Sequence, residues 1–522
     1  MYKKLLLFVF LLGSISLWSA DYYCDPNMGS MSNNGSSNAP WSTLHDVFAA
    51  GKTFNAGDVI YLRTGNHGFA VVEGANNGDV IIRPEEGQSP YLERIRFGNN
   101  NAVHWVLDGV EIISENEDSY PENLIDLYPG SSFITIKNCR IHSIEDASNW
   151  TRDNWRDQAN TGIRSQGHDH LIQDNEIKNI YLGVSIESPH TMFKGNTIQR
   201  FTIDGIRALA SFCTYTENKI MDAIVVYDNS ENHYDGFQSY TCCPVGSDTL
   251  FDVIVKRNII IQTTDADRDF LGTMQGMGCF DGMYVNWEIE NNLVLVDHWH
   301  GISLYGAIDC KIINNTVIDP DGAMGIGPSW IKIATHKMDG TVNNGALSTG
   351  NVIRNNLVNQ LSNADNIGEV DHNELLGDNA SNYNNYFIDA TSLDFHLLES
   401  APAVDAGSDL LAPNIDLENN PRPEGNGIDI GAYEYKMPDA VKEAGSFGQK
   451  ISISPNPANS WMEIEVAEPT TISIIDMKGA VVYAKVNFES GQINVSQWEA
   501  GVYTIIFSFR KRIFAKKLII LN

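Results

Sequence analysis

Four short windows of this 522-residue chain gather the side chains that proton-transfer chemistry on a polar substrate requires. NHYDGFQSY places His233, Asp235 and Gln238 within six residues, and FDG supplies Asp281. DHWHGIS carries His298, Trp299, His300 and Ser303, and PSWIKIATHK carries Trp330, Lys332 and His336. Asp204 and Arg207 in DGIRA add a carboxylate and a guanidinium. Imidazole and amine groups can take or give a proton, carboxylates can hold a cation, and guanidinium or amide groups can neutralise an anion. Any one of these residues alone reads as an ordinary solvated side chain. Together they need a scaffold that turns distant segments into neighbours.

That scaffold is written as a repeat. GIRSQGHDHLIQDNEI, GVSIESPHTMFKGNTI, DGIRALASFCTYTENKI, HGISLYGAIDCKIINNTV and NVIRNNLV share an apolar opening and a later Asn followed by a β-branched or leucine strand. Asn175, Asn196 and Asn218 are 21 and 22 residues apart, and Asn292 to Asn315 is 23. A unit this short cannot bury an apolar face alone, so it stacks on its copies as a solenoid. Apolar residues alternate with no helical period, which predicts an all-β chain of two or three short strands per coil, a right-handed parallel β-helix. Asn suits the corner because it tolerates left-handed backbone and can bond its counterparts along the axis. Cys139 takes that slot in the preceding unit. The longer gaps, Asn218 to Asn258 and Asn315 to Asn356, hold insertions on one side of the coil, where loops on a rigid frame carry function.

Aligning the units puts Ile163, Val184, Ile206, Phe237, Met277, Ile302 and Ile331 inward. The next residue of each then points outward: Arg164, Ser185, Arg207, Gln238, Gly278, Ser303 and Lys332. Asp204, His233, Asp235, Asp281, His298 and His300 rim this column. The expected catalytic set is His233, Asp235, Arg207, Gln238, His300 and Lys332, with Arg164, Trp299, Ser303 and Trp330 contacting substrate. Asp235 and Asp281 are the pair that could hold Ca2+.

Two chemistries fit. β-Elimination on a uronic-acid chain needs the sugar carboxylate neutralised, by Arg207, Gln238 or the cation, and a base, from His233, His300 or Lys332. Hydrolysis needs two carboxylates, and Asp204 and Asp235 on adjacent coils would stand about 5 Å apart at Cα. The formal net charge of −31 disfavours nucleic acid and anionic membranes as partners. It also means that a polyanionic polymer would need local cations, which the outward column supplies.

Met1 to Ala20 reads as a secretory signal peptide, and no other stretch could span a bilayer. Residues 21–435 form the β-helix: a cap in which Ser42 is the expected helix N-cap, coils from Phe69 to about Asp389, and an irregular wrap over the last coil ending at Tyr435. Residues 436–450 read as a linker, and 451–522 as a small β-sandwich. Of seven Cys, Cys139, Cys213 and Cys310 sit among apolar strand positions, while Cys242 or Cys243 with Cys279 could form a disulfide.

The opening DYYCDPNMGSMSNNGSSNAPWSTLHDVFAAGKTFNAGDVIYLR resembles that of secreted right-handed β-helix proteins, many of them polysaccharide lyases of the pectate-lyase fold. The segment APAVDAGSDLLAPNIDLENNPRPEGNGIDIGAYEY resembles the closing segment of bacterial β-helices. SPNP, DMKG, GVYTI and the basic last strand resemble the C-terminal sorting domain of the Bacteroidetes type IX secretion system. The resemblances imply Sec export, handling by the type IX machinery, and a final place outside the cell or on its outer-membrane surface. Carboxylates on successive coils resemble polygalacturonase-type β-helices, although the adjacent-Asp signature of that family is missing. The alginate lyase and chondroitinase B group uses a Lys and an Arg with Ca2+, but its motifs do not map onto residues here. The expectation is a monomeric polysaccharide lyase acting on a uronic-acid-containing polymer. A glycoside hydrolase, a C5 epimerase or a non-catalytic glycan-binding surface protein are the alternatives.

Overall fold

The structure is a computed structural model that describes residues 19–114, 121–227, 233–241, 248–320, 326–337, 343–363, 367–436, 451–466, 469–509 and 512–521. Nearly all of the expected signal peptide, all but the first residue of the linker, and Cys242 and Cys243 lie outside the described residues. The chain divides into two compact units, Met1–Tyr435 and Lys436–Asn522.

Each repeat of the first unit makes one coil of three short strands, such as Thr161–Ser165, Leu171–Gln173 and Glu176–Ile180. The next coil repeats them at Val184–Ile186, Met192–Lys194 and Thr197–Phe201, and equivalent strands pair in parallel. The result is a parallel β-helix with three faces. On the first face the register runs Ile163, Val184, Ile206, Phe237, Met277, Ile302, Ile331, which is the inward column expected from the sequence. Ile172, Phe193, Tyr215, Val255, Ile289, Ile312 and Ile353 line the second face. Ile177, Ile198, Ile220, Ile260, Val294, Val317 and Val358 line the third. All of these side chains are buried, and each contributes about 1.5–3 kcal/mol for leaving water.

The corner between the second and third faces is a ladder of buried side-chain amides. Asn175, Asn196, Asn218, Asn258, Asn292, Asn315 and Asn356 each donate from Nδ2 to the next Oδ1 at 2.8–3.2 Å, the last accepting atom being on Asn373. Cys139 heads the column, its backbone N–H donating to Asn175. The left-handed backbone expected at these Asn belongs instead to the residue before each. Asp174, Glu217, Arg257, Asn291, Asn314 and Asn355 have φ between 52° and 60°. The ladder Asn are selected for their amides, and the turn is made one position earlier.

At the start of the helix, Asp21–Cys24 and Val59–Leu62 already pair in parallel, so the coils begin before Phe69. The helix Leu44–Ala49 covers this end, with Phe48 and Phe54 against Trp105. Its N-cap is Thr43, which accepts from the Asp46 N–H, rather than Ser42, whose hydroxyl donates to the Asp46 carboxylate. The wrap also departs from expectation. Ala401, Ala403, Leu417 and Ile430 pack with Leu293, Leu295, Ile318 and Leu357, on the outside of the third face. Asn291, Asn314 and Asn355 donate to Ile415, Asp429 and Ser408, so the segment runs back along several coils instead of closing the last one. A fully buried Arg422–Glu434 ion pair at 2.6 Å pins it.

The second unit holds two antiparallel sheets. One has Ser452–Ser454, Trp461–Glu465 and Gly491–Asn494, and the other Val481–Phe488, Thr470–Ile475, Gly501–Phe509 and Arg512–Ile520. Met462, Ile464, Ile472, Ile474, Ile505, Phe507 and Leu518 form their shared core.

Candidate functional site

The outward column of the first face is Arg164, Ser185, Arg207, Gln238, Gly278, Ser303, Lys332, each paired in register with the next. A second polar column runs beside it, and glycine sets it up. Gly205, Gly236, Gly276 and Gly301 occupy the rung position just before the inward residue. A β-carbon on any of them would meet a branched side chain of the opposite face, Ile220, Ile260, Val294 or Val317, at 2.3–2.4 Å. Only glycine fits where the coil is this narrow. The residue ahead of three of these glycines then bonds the outward residue three positions later. Asp204 accepts from Arg207 at 2.6 Å, Asp235 from Gln238 at 3.2 Å, and His300 Nδ1 lies 2.9 Å from Ser303 Oγ. Gln275 takes the same place ahead of Gly276. Polar-Gly-apolar-polar was present in DGIR, DGFQ, QGMG and HGIS, and it is the signal that would have added Gln275 to the candidates.

Asp204 and Asp235 face each other across adjacent rungs and are both 0% exposed. Burial, together with the negative charge of Asp204, pushes the Asp235 carboxyl far above the usual carboxylate range. Burial also raises Asp204, against the opposing pull of Arg207. The two carboxyls compete for one negative charge, and the Arg207 contact favours its place on Asp204 over Asp235.

His233 joins this pair to the next cluster, because Gln275 Nε2 lies 3.0 Å from its Nδ1. His298 and His300 stack at 5.3 Å, and Phe280 meets the His300 ring edge-on at 4.7 Å. Burial lowers His298 to about 4, and the neighbouring His233 ring further disfavours a positive charge there. Burial, then His298, Lys332, His233 and Lys337, lowers His300 to about 3. Both imidazoles are neutral in ordinary working conditions. Lys332 Nζ sits 4.7 Å over the Trp330 ring and 5.7 Å from the Tyr305 ring centre. Trp299, 45% exposed, stacks on Trp330 at 6.0 Å. The structure thus brings Arg207, Asp235, Gln238, His233, His300, Trp299, Trp330 and Lys332 onto one strip. Phe280, Tyr305 and Lys337 join it without having been singled out in the sequence.

Three expectations need correction. Asp235 and Asp281 are not brought together as a pair. Asp235 begins its strand opposite Gln275, whereas Asp281 ends the neighbouring strand opposite Tyr240, where it is exposed and ion-paired to Lys337 at 2.7 Å. Ser303 is fully buried and accepts from Trp330 Nε1 at 3.2 Å, so it lies beneath the strip's surface against the rings. Arg164 stands two rungs before Arg207 and is held by Glu187 through both nitrogens at 3.0 and 3.2 Å. Cys279 is buried and has no cysteine partner among the described residues, outside which Cys242 and Cys243 lie. Among the described residues, Glu111, His142 and Glu145 group at metal-ligand spacing on the third face, away from the strip. Arg140 and Lys178 already neutralise those two carboxylates.

Residues 123–317 match the family model for the right-handed β-helix region, and residues 452–521 match the secretion system C-terminal sorting domain. The chain is a right-handed β-helix protein with a type IX sorting tail. The tail assigns it to the extracellular space or the cell surface by way of the type IX machinery. No helix among the described residues is long and apolar enough to cross a membrane. No curated protein matches the chain. Solved structures similar to this β-helix protein include the pectate lyase Pel9A at 17% identity, covering 80% of this chain and 97% of that one, with a TM-score of 0.37. The Dettilon tailspike protein is 13% identical, covers 61% and 57%, and has a TM-score of 0.36. The alginate lyase from Paenibacillus sp. str. FPU-7 is 10% identical, covers 63% and 96%, and has a TM-score of 0.30.

Proposed function

We propose that the outward strip is the active site of a polysaccharide lyase that cleaves a uronic-acid-containing polymer by β-elimination. The observation carrying this reading is how charge divides between interior and surface. Asp204 and Asp235 lie wholly beneath the strip and the exposed Asp281 at its far end is neutralised by Lys337, whereas the side chains that reach the surface between them are Arg207, Gln238, His233, Trp299, His300, Trp330 and Lys332. Hydrolysis needs carboxyl groups that touch the glycosidic bond. A surface of cations, amide, imidazoles and indoles suits an anionic chain instead, on a protein that is otherwise acidic.

Lys332 has π faces on two sides and, among the described residues, no carboxylate in ion-pair contact, so it is the cation available to the sugar carboxylate. There it stabilises the charge that develops as C5 loses its proton. Neutral His300 accepts that proton, the C5–H electrons form the C4–C5 double bond, and the C4–O bond breaks with protonation of the leaving oxygen. A bound sugar carboxylate offsets the cations that hold His300 low and raises its basicity toward working pH. Trp299 offers a stacking face for a sugar ring. Arg207 and Lys332 stand four rungs apart, about 19 Å at the spacing of adjacent strands, so they serve different residues of one chain.

The test is incubation with alginate, pectate, glucuronan and glycosaminoglycans. The ultraviolet absorbance of an unsaturated uronide, lost in His300→Ala, supports the reading. New reducing ends without unsaturation overturn it in favour of hydrolysis, and inverted C5 without cleavage overturns it in favour of epimerisation.

A further inference from the structure

Two buried oxygens at the centre of the strip lack hydrogen-bond partners among the described residues: Asp235 Oδ1 and Gln275 Oε1. Both crowd the same point above Gly278, lying 2.4 and 3.0 Å from where a β-carbon on that residue would stand. Two buried lone-pair oxygens that border the same point without a donor are satisfied together when one of them carries a proton directed at the other. The other oxygen of Asp235 accepts from Gln238, and the amide nitrogen of Gln275 lies against His233 Nδ1 at 3.0 Å. We infer that Asp235 is a positioning residue held as a neutral carboxylic acid that donates to Gln275 Oε1, which fixes the Gln275 amide and with it His233 as the tautomer protonated on Nε2.

The chain of donors runs in one direction. The Asp235 hydroxyl donates to Gln275 Oε1, Gln275 Nε2–H donates to His233 Nδ1, and the remaining ring proton sits on the outward Nε2. His233 is exposed, so that N–H meets the substrate. The surroundings agree: Asp235 is fully buried beside the charged Asp204, the setting in which a carboxylic acid keeps its proton. This inference rests on the strip being the glycan cleft and divides the labour within it. Neutral His233 donates a hydrogen bond from Nε2 to the leaving oxygen, which takes its proton from solvent, and His300 accepts the proton lost from C5. Asp235 and Gln275 act through His233 without touching the sugar. Gly278 belongs to the device, because a methyl group there would drive the two oxygens apart.

The test is 15N NMR of the full chain labelled on histidine, with the His233 signals assigned by their loss in His233→Gln. In the parent, Nδ1 should be the unprotonated nitrogen and Nε2 the protonated one. Asp235→Asn keeps a donor toward Gln275 Oε1 and should keep this tautomer. Gln275→Leu and Gly278→Ala should yield a mixture, with thermal unfolding by circular dichroism verifying that each variant is folded. Proton on Nδ1 in the parent, or the same single tautomer surviving in Gln275→Leu, overturns the inference. A His233 spectrum that changes on adding EDTA and returns with Ca2+ also overturns it, since a cation would then bridge the two oxygens. The readout needs no turnover, so a protein with the expected tautomer and no lyase product would refute the proposed activity and leave the relay standing.

Discussion

Replacing Arg207 with methionine removes the one positive charge that, among the described residues, is in ion-pair contact with Asp204, whose carboxylate is fully buried. The Nε–Oδ2 distance is 2.6 Å. With charge centres about 4 Å apart and an effective dielectric near 20, the attraction is worth about 4 kcal/mol, in line with the ~3–5 kcal/mol lost when one partner of a buried pair is removed. The loss depends on pH, with a sign that follows from the shift. Burial already places Asp204 above its unfolded value in the parent, and without Arg207 it rises further. A raised carboxyl contributes stability below its unfolded value, near 4, and loses it as pH climbs through the folded value. Arg207→Met should therefore be nearly as stable as the parent at about pH 4 and less stable by about 3–4 kcal/mol at pH 7. Urea unfolding followed by circular dichroism across that range measures the gap. Arg207→Met combined with Asp204→Asn should recover most of it at pH 7. A gap that stays flat with pH, or that remains below about 1 kcal/mol, would refute the buried charged pair.

Asn258→Ala strips the ladder of an amide that donates to Tyr215 and Asn292 and accepts from Asn218 N–H and Nδ2. At about 1–3 kcal/mol for each buried group left unpaired, a loss of about 3–5 kcal/mol in urea unfolding is expected. Arg422→Met leaves Glu434 buried with its charge uncompensated, which should cost about 3–5 kcal/mol at neutral pH by the same measurement. Lys332→Ala removes one of the charges that depress His300. Its histidine titration, followed by NMR, should move upward from about 3 while kcat/KM on the cleaved polymer falls. Trp299→Ala should raise KM more than it lowers kcat, since the exposed indole offers binding surface and no reacting group.

The coil was legible because its determinants are local and repeated. The Gly-apolar openings fixed the register of Ile163 through Ile331, and with it the outward column from Arg164 to Lys332. The Asn slots marked the corner, although the left-handed residue before each was not separable by period alone. What escaped the sequence depends on distances across the coil. The narrowness that forces Gly205, Gly236, Gly276 and Gly301 is invisible until the third face stands opposite them. Without that constraint, Asp204 and Asp235 read as exposed rim residues instead of a buried pair. Strand length decided the fate of Asp281: DGFQSY and QGMGCFD run on far enough to carry it to the other end of the strip from Asp235. The wrap from Ala401 to Tyr435 was recognisable by composition, but its path along the third face follows from the exposed backs of Leu293, Leu295, Ile318 and Leu357.

The most direct test is the product formed by purified protein from uronic-acid polymers, read by ultraviolet absorbance and mass spectrometry. Oligosaccharides ending in a C4–C5 unsaturated uronic acid, with their formation abolished in His300→Ala and Lys332→Ala, are the predicted result. Products carrying the mass of added water, or cleavage that survives both substitutions, would contradict the assignment of the strip to β-elimination.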